Sequence, residues 1–94
     1  MRVRWTPEAE ADRLAIWDYI AADDPSAAAR IDDCFDSSAS HLAEFPMLGR
    51  AGTLPGTREL LPHERYRLID QVRGDTLWIL ALVHTARVWP PRLS

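Results

Sequence analysis

The chain has 94 residues, 47% hydrophobic and 27% charged, with a formal net charge of −3 and a single cysteine. At this length folding buries about 60–65% of the unfolded surface, so composition excludes a second domain, wholesale disorder, a collagen-like repeat and a disulfide scaffold. One domain over residues 1–94 is expected. The longest apolar run, Leu77 to Val83, is seven residues, against roughly 20 for a bilayer span. No apolar stretch follows Arg2 and Arg4 as a secretory signal would, and the lone Cys34 points to a reducing compartment, so a cytoplasmic protein is expected. Cut after Met47, the chain carries −6 before and +3 after, and every one of its eleven Lys-or-Arg cations is arginine.

In chain order, Arg2 to Trp5 alternates as a short strand and runs into Thr6-Pro7-Glu8, an N-cap, a proline at the first helical position and an acid in the first turn. From Pro7 to Ala22 the residues Ala9, Ile16 and Ile20 share a face flanked by Trp17 and Tyr19, with Arg13 breaking the stripe and expected to snorkel to its rim. Asp24-Pro25 repeats the start signal, which predicts two antiparallel helices joined by a tight turn. The second helix, Ser26 to Phe45, has the strongest period: Ala27, Ala28, Ile31, Cys34, Phe35, Leu42 and Phe45 share one stripe, and Pro46 ends it. Residues Pro46 to Gly56 read as an irregular surface loop.

Beyond it the period changes from 3.6 to 2. Thr57–Leu61, Arg65–Val72 and Thr76–Val83 read as strands, with Gly74-Asp75 as a two-residue hairpin turn. The fold class is therefore α+β: a short N-terminal strand and a helical hairpin packed on an antiparallel sheet of three or four strands. Uninterrupted pairing from that turn sets Ile69 opposite Leu80, Arg67 opposite Leu82 and Arg65 opposite His84. One face then carries Arg65, Arg67, Ile69, Leu80, Leu82 and His84, an apolar floor with a cationic rim. The other carries Tyr66, Leu68, Val72, Leu77, Ile79, Ala81 and Val83, and is assigned to the helices.

His41, His63 and His84 lack partners at metal-ligand spacing, so no metal is expected. Gly49, Gly52 and Gly56 lie between helix and strand rather than strand and helix, so they read as turn residues, not a phosphate loop. Cys34, on the buried stripe, reads as a core residue. The constellation Arg65, Arg67, His84 and Arg87 has two readings: a cationic patch for an acidic protein segment or a phosphate backbone, or strand arginines paired with Glu59 and Glu64.

Trp5-Thr6-Pro7-Glu8-Ala9-Glu10-Ala11-Asp12, Ile16-Trp17-Asp18-Tyr19-Ile20-Ala21-Ala22-Asp23-Asp24-Pro25, Leu42-Ala43-Glu44-Phe45-Pro46, Gly49-Arg50, Pro55-Gly56-Thr57-Arg58-Glu59-Leu60, Tyr66-Arg67-Leu68, Gly74-Asp75-Thr76 and His84-Thr85-Ala86-Arg87 resemble, in order and over nearly the whole chain, the toxins of the RelE/ParE superfamily of type II toxin–antitoxin modules. The resemblance implies two N-terminal helices against a curved antiparallel sheet. It also implies no cofactor, no membrane, and a small cognate antitoxin with a DNA-binding N-terminus, through which alone the toxin would meet nucleic acid.

RelE-like members cleave messenger RNA on the ribosome with strand arginines or lysines and a histidine or tyrosine near the C-terminus. ParE-like members instead bind and poison DNA gyrase and have no catalytic site. Arg67 sits where the nucleases keep a strand arginine, but Arg87 to Ser94 contains neither tyrosine nor histidine and His84 falls early. The chain is also net acidic, unlike most proteins that grip a phosphate backbone. The His84-x-x-Arg87 ending resembles ParE-like members more closely. The expectation is a ParE-like toxin with no catalytic residues, binding its target through Arg65, Arg67, His84 and Arg87 and its antitoxin through Ile69, Leu80, Leu82, Arg13 and Trp17. The alternatives are a ribosome-dependent endoribonuclease using Arg67, His84 and Arg87, and a decayed relative that only binds antitoxin.

Overall fold

Each helix begins where a capping side chain precedes a proline. The computed structural model describes residues 1–91. Arg92, Leu93 and Ser94, the end of the stretch read as lacking a nuclease-type residue, lie outside them. Strand β1 (Arg2–Trp5) leads through Thr6 into helix α1 (Pro7–Ala21), and the Thr6 hydroxyl accepts the Ala9 N–H at 3.1 Å, a cap of about 1 kcal/mol. Asp24 does the same for α2 (Pro25–Glu44), accepting the Ala27 N–H at 3.2 Å. Residues 22–24 turn the chain between them.

α2 buries Ala28, Phe35, Ser38 and Leu42, one stripe at helical spacing. Phe45 is not part of it. The helix stops at Glu44, and Phe45 takes a non-helical conformation as its C-cap and is 56% exposed. Cys34 is only half-buried.

The sheet has five strands in the order β1-β5-β4-β3-β2, where β2 is Arg50–Ala51, β3 Arg58–His63, β4 Tyr66–Arg73 and β5 Thr76–His84. It is mixed rather than antiparallel. β1 runs parallel to β5, from Arg2 beside Thr76 to Trp5 beside Ile79, because the helical hairpin carries the chain across one sheet face before the meander begins. β2 lies inside the stretch expected to be loop, where two residues are too few to show an alternating pattern. The core, Ala9, Phe35, Leu42, Tyr66, Leu68, Leu77, Ile79 and Leu82, fills the space between hairpin and sheet, and each large side chain contributes about 1.5–3 kcal/mol on burial.

The β4–β5 register corrects the expected faces. Arg73 pairs Thr76, Val72 pairs Leu77 and Asp70 pairs Ile79, but the ladder then slips: Ile69 pairs Ala81, Leu68 pairs Leu82, Arg67 pairs Val83 and Tyr66 pairs His84. Leu80 is the extra residue of a β-bulge. Because side chains alternate, one inserted residue sends Leu82 and His84 to the helix side and Ala81 and Val83 to the other. The polar groups near the bulge are met by α1, at the level where β1 has ended. Thr6 N–H donates to the Ile79 carbonyl at 3.0 Å, the Thr6 hydroxyl donates to the Leu80 carbonyl at 3.3 Å, and the Leu82 N–H donates to Asp12 Oδ2 at 3.1 Å.

Arg13 does not snorkel. Its Nε donates to Asp32 Oδ1 at 2.7 Å and its Nη2 to Asp36 Oδ1 at 2.8 Å, while the guanidinium carbon lies 4.9 Å from the Trp5 ring centroid. The acids come from α2, one helical turn apart, and not from α1 itself. The hydrogen bond to Asp32, with the Asp36 contact, raises the guanidinium pKa above its ordinary value against the opposing effect of burial.

Candidate target-binding face

Arg67 faces away from the helices, beside Val83, and the acid nearest it comes from β3. Glu59 pairs Ile69 across the β3–β4 ladder, which puts its side chain on the same face. Its carboxylate is only 4% exposed, with Oε1 3.6 Å from Arg67 Nη1 and Oε2 accepting the Thr53 N–H at 2.9 Å. Arg67 thus has the acid partner that the plainer of its two readings gave it.

Arg65 is not on a strand. It occupies the β3–β4 turn, exposed, with its carbonyl accepting the Thr85 N–H at 2.8 Å, while the Thr85 hydroxyl donates to the Glu64 carbonyl at 3.3 Å. These bonds tie the turn to the segment leaving β5, where Arg87 is exposed and donates its N–H to the His84 carbonyl at 2.9 Å.

His84 is opposite Tyr66, not Arg65, and turns toward the helices. Its ring meets Tyr66 edge-on, centroids 5.4 Å apart at 82°, and Tyr66 meets Phe35 in the same way at 5.8 Å. The Ala86 N–H donates to His84 Nδ1 at 3.0 Å, which leaves the neutral ring's proton on Nε2. Burial, reinforced by nearby Tyr19, raises the Tyr66 phenol, and Arg65 partly opposes this. The four residues of the expected cationic set therefore meet at one end of the β4–β5 ladder, but Arg67 and His84 lie on opposite faces.

Of the residues expected to hold an antitoxin, Ile69 and Leu82 offer no floor: they are 0% and 5% exposed, and Leu82 belongs to the core because of the bulge. Leu80, the bulge residue, is half-buried. Arg13 and Trp17 do come together, lining with Glu10, Leu14 and Asp32 a groove of about 340 Å³ on the outside of the hairpin. Leu14, 62% exposed and off the inward stripe of α1, belongs there too, although the expected antitoxin set does not include it. A second groove, about 360 Å³ between α2 and β3, is walled by Asp33, Cys34, His41, Leu48 and Leu61 and shares no residue with either set.

One ionisable group went unread. Asp70 is fully buried, cross-strand to Arg58 and Ile79, and neither carboxylate oxygen has a hydrogen-bond partner among the described residues. Arg58 instead donates to the Gly49 carbonyl at 2.9 Å. Burial pushes the Asp70 carboxyl up to about 6, against the pull of the Arg58 charge.

The profile of the family described as ParE toxin of type II toxin–antitoxin system, parDE, matches residues 3–89. The chain belongs to the ParE toxin family. It is 36% identical over 89 residues to toxin Y4kP of Sinorhizobium fredii, covering 95% of this chain and 93% of that one. It is 37% identical over 87 residues to toxin RelE2 of Caulobacter vibrioides, covering 93% and 98%. Among solved structures, a chain of the chromosomal ParDE system of P. aeruginosa superposes with a TM-score of 0.77 at 26% identity, over 89% of this chain and 95% of that one. The YoeB/ParE toxin of Agrobacterium tumefaciens superposes at 0.65 over 89% and 98%, and at 16% identity it shows the shared fold alone. The ParE-family chain has, among its described residues, no helix long and apolar enough to cross a membrane.

Proposed function

We propose that this ParE-family toxin acts in the cytoplasm by binding DNA gyrase, not by cutting RNA, and that a cognate antitoxin with a DNA-binding N-terminus neutralises it. The observation that carries this reading is the split of the cationic set. General acid–base cleavage needs a titratable group within hydrogen-bond reach of the phosphate that the arginine holds. Here His84 lies on the helix side against Tyr66, while Arg67 lies on the other with its nearest acid, Glu59, buried and already accepting the Thr53 N–H. Arg65, Arg67 and Arg87 are left as binding contacts for an acidic protein surface, and His84 as a ring that shapes the end of the ladder. The endoribonuclease reading, with Arg67, His84 and Arg87 acting together, would need these faces to merge.

For the antitoxin, the hairpin groove with Leu14, Trp17 and Arg13 takes the place of the lost floor, receiving an amphipathic acid-bearing segment. Trp17→Glu should weaken the toxin–antitoxin complex at least about tenfold with the toxin's Tm unchanged. Unchanged affinity would remove the groove from the interface. The target is tested with antitoxin-free protein in a gyrase supercoiling assay run beside ribosome-dependent translation. Inhibited supercoiling with intact message is expected, and cleaved message with active gyrase would reverse the assignment.

A further inference from the structure

We propose that the loop at residues 52–57 is a second contact segment of the target-binding face, seated with Arg67 on an acidic protein surface, and that Glu59 is the positioning residue that fixes loop and arginine in one geometry. This rests on the binding role given to Arg67 above. Glu59 Oε2 accepts the Thr53 N–H at 2.9 Å while Oε1 lies 3.6 Å from Arg67 Nη1. One buried carboxylate therefore holds the loop with one oxygen and the guanidinium with the other.

The loop is otherwise closed on itself, with Gly52 N–H donating to the Thr57 carbonyl at 2.8 Å and the Thr57 hydroxyl to the Leu54 carbonyl at 2.7 Å. A Cβ at Gly52 would sit 2.4 Å from Thr57 Oγ1 and 3.2 Å from Glu59 Oε2, so any other residue here would displace the Thr57 hydroxyl that closes the loop and crowd the carboxylate. Its exposed residues Thr53, Pro55 and Gly56 carry no charge. They can approach a partner without competing with Arg67 for its acids. Burying a carboxylate beside a guanidinium gains little stability over an apolar pair, because both ions are desolvated, but it fixes the direction in which the guanidinium points.

The test combines growth arrest on induced expression, inhibition of purified gyrase, and Tm. Glu59→Gln keeps an acceptor for Thr53 but removes the ion pair. It is expected to weaken arrest about tenfold when Arg67 is present and to add nothing in an Arg67→Ala background. A purely structural Glu59 would weaken both backgrounds alike, and that result would overturn the positioning role. Pro55→Glu, at the loop tip, is expected to weaken arrest at least about tenfold without moving Tm, since it sets an acid against an acidic partner. Full arrest by Pro55→Glu would overturn the loop's contact role. An Arg67→Ala chain as toxic as the wild type would instead sink the underlying reading. Arrest with gyrase left active would change the target's identity but leave the variant comparison decisive.

Discussion

From the Gly74 turn to Asp70 and Ile79, strands β4 and β5 pair without interruption, whereas from Ile69 and Ala81 outward they pair one residue out of step. At the turn end Val72 is 38% exposed; beyond the bulge Leu68 and Leu82 are buried and part of the core. What separates the two regions is a single residue, Leu80, and what makes the slip tolerable is α1. Asp12 and Thr6 take the backbone groups that β1, ending at Trp5, no longer reaches. The face presented by the far end of the sheet is thus set by contacts made from the helical hairpin.

The widest gap between the two ends should come from putting a charge on each. Leu82→Glu places an unpaired carboxylate in the core and should cost more than about 4 kcal/mol, enough to prevent folding of a marginal domain. Val72→Glu at the turn end should cost about 1 kcal/mol or less. Urea titration reads both, and a folded Leu82→Glu chain would return Leu82 to the outer face.

Asp70 lies at the junction of the two regions and gives a pH signature. Its folded-state pKa of about 6 lies above the ordinary 3.8 of an aspartate in water. The native state therefore holds this proton more tightly than the unfolded chain does, and the stability it contributes is present below about pH 4 and lost as pH rises through about 6. Asp70→Asn should consequently gain up to roughly 3 kcal/mol relative to wild type at pH 8, a gain that shrinks toward zero at pH 4. The difference in Tm between the two proteins across that range measures it. A difference that does not vary with pH would mean Asp70 does not titrate there.

The two helix starts, the strand order after the loop and the hairpin turn were legible because each leaves a local mark: Thr6-Pro7, Asp24-Pro25, the shift to period 2, Gly74-Asp75. The bulge was not. Leu77 to Val83 is apolar throughout, so pairing Leu80 or skipping it leaves the same pattern, and what distinguishes them is contacts from Thr6 and Asp12, 70 or more residues away. The partners of Arg13 were hidden for a related reason. Asp32 and Asp36 lie on the other helix, 19 and 23 residues from Arg13, where no local spacing links them to it.

Removing the Asp12 acceptor gives a smaller test of the same comparison. Asp12→Ala leaves the Leu82 N–H without its acceptor and should cost about 1–3 kcal/mol, seen as a lower urea midpoint with an unchanged m-value. It should also speed hydrogen exchange at Leu82 while leaving Leu77, in the unslipped region, protected. Equal acceleration at both would mean that α1 does not hold the bulge in particular.

The binding account is tested most directly by comparing His84→Gln with Arg87→Ala in antitoxin-free protein, assayed for gyrase inhibition and for cleavage of ribosome-bound message. No form should cleave message, and Arg87→Ala should lose at least as much gyrase inhibition as His84→Gln. Message cleavage by the wild type that is lost in His84→Gln but kept in Arg87→Ala would contradict it.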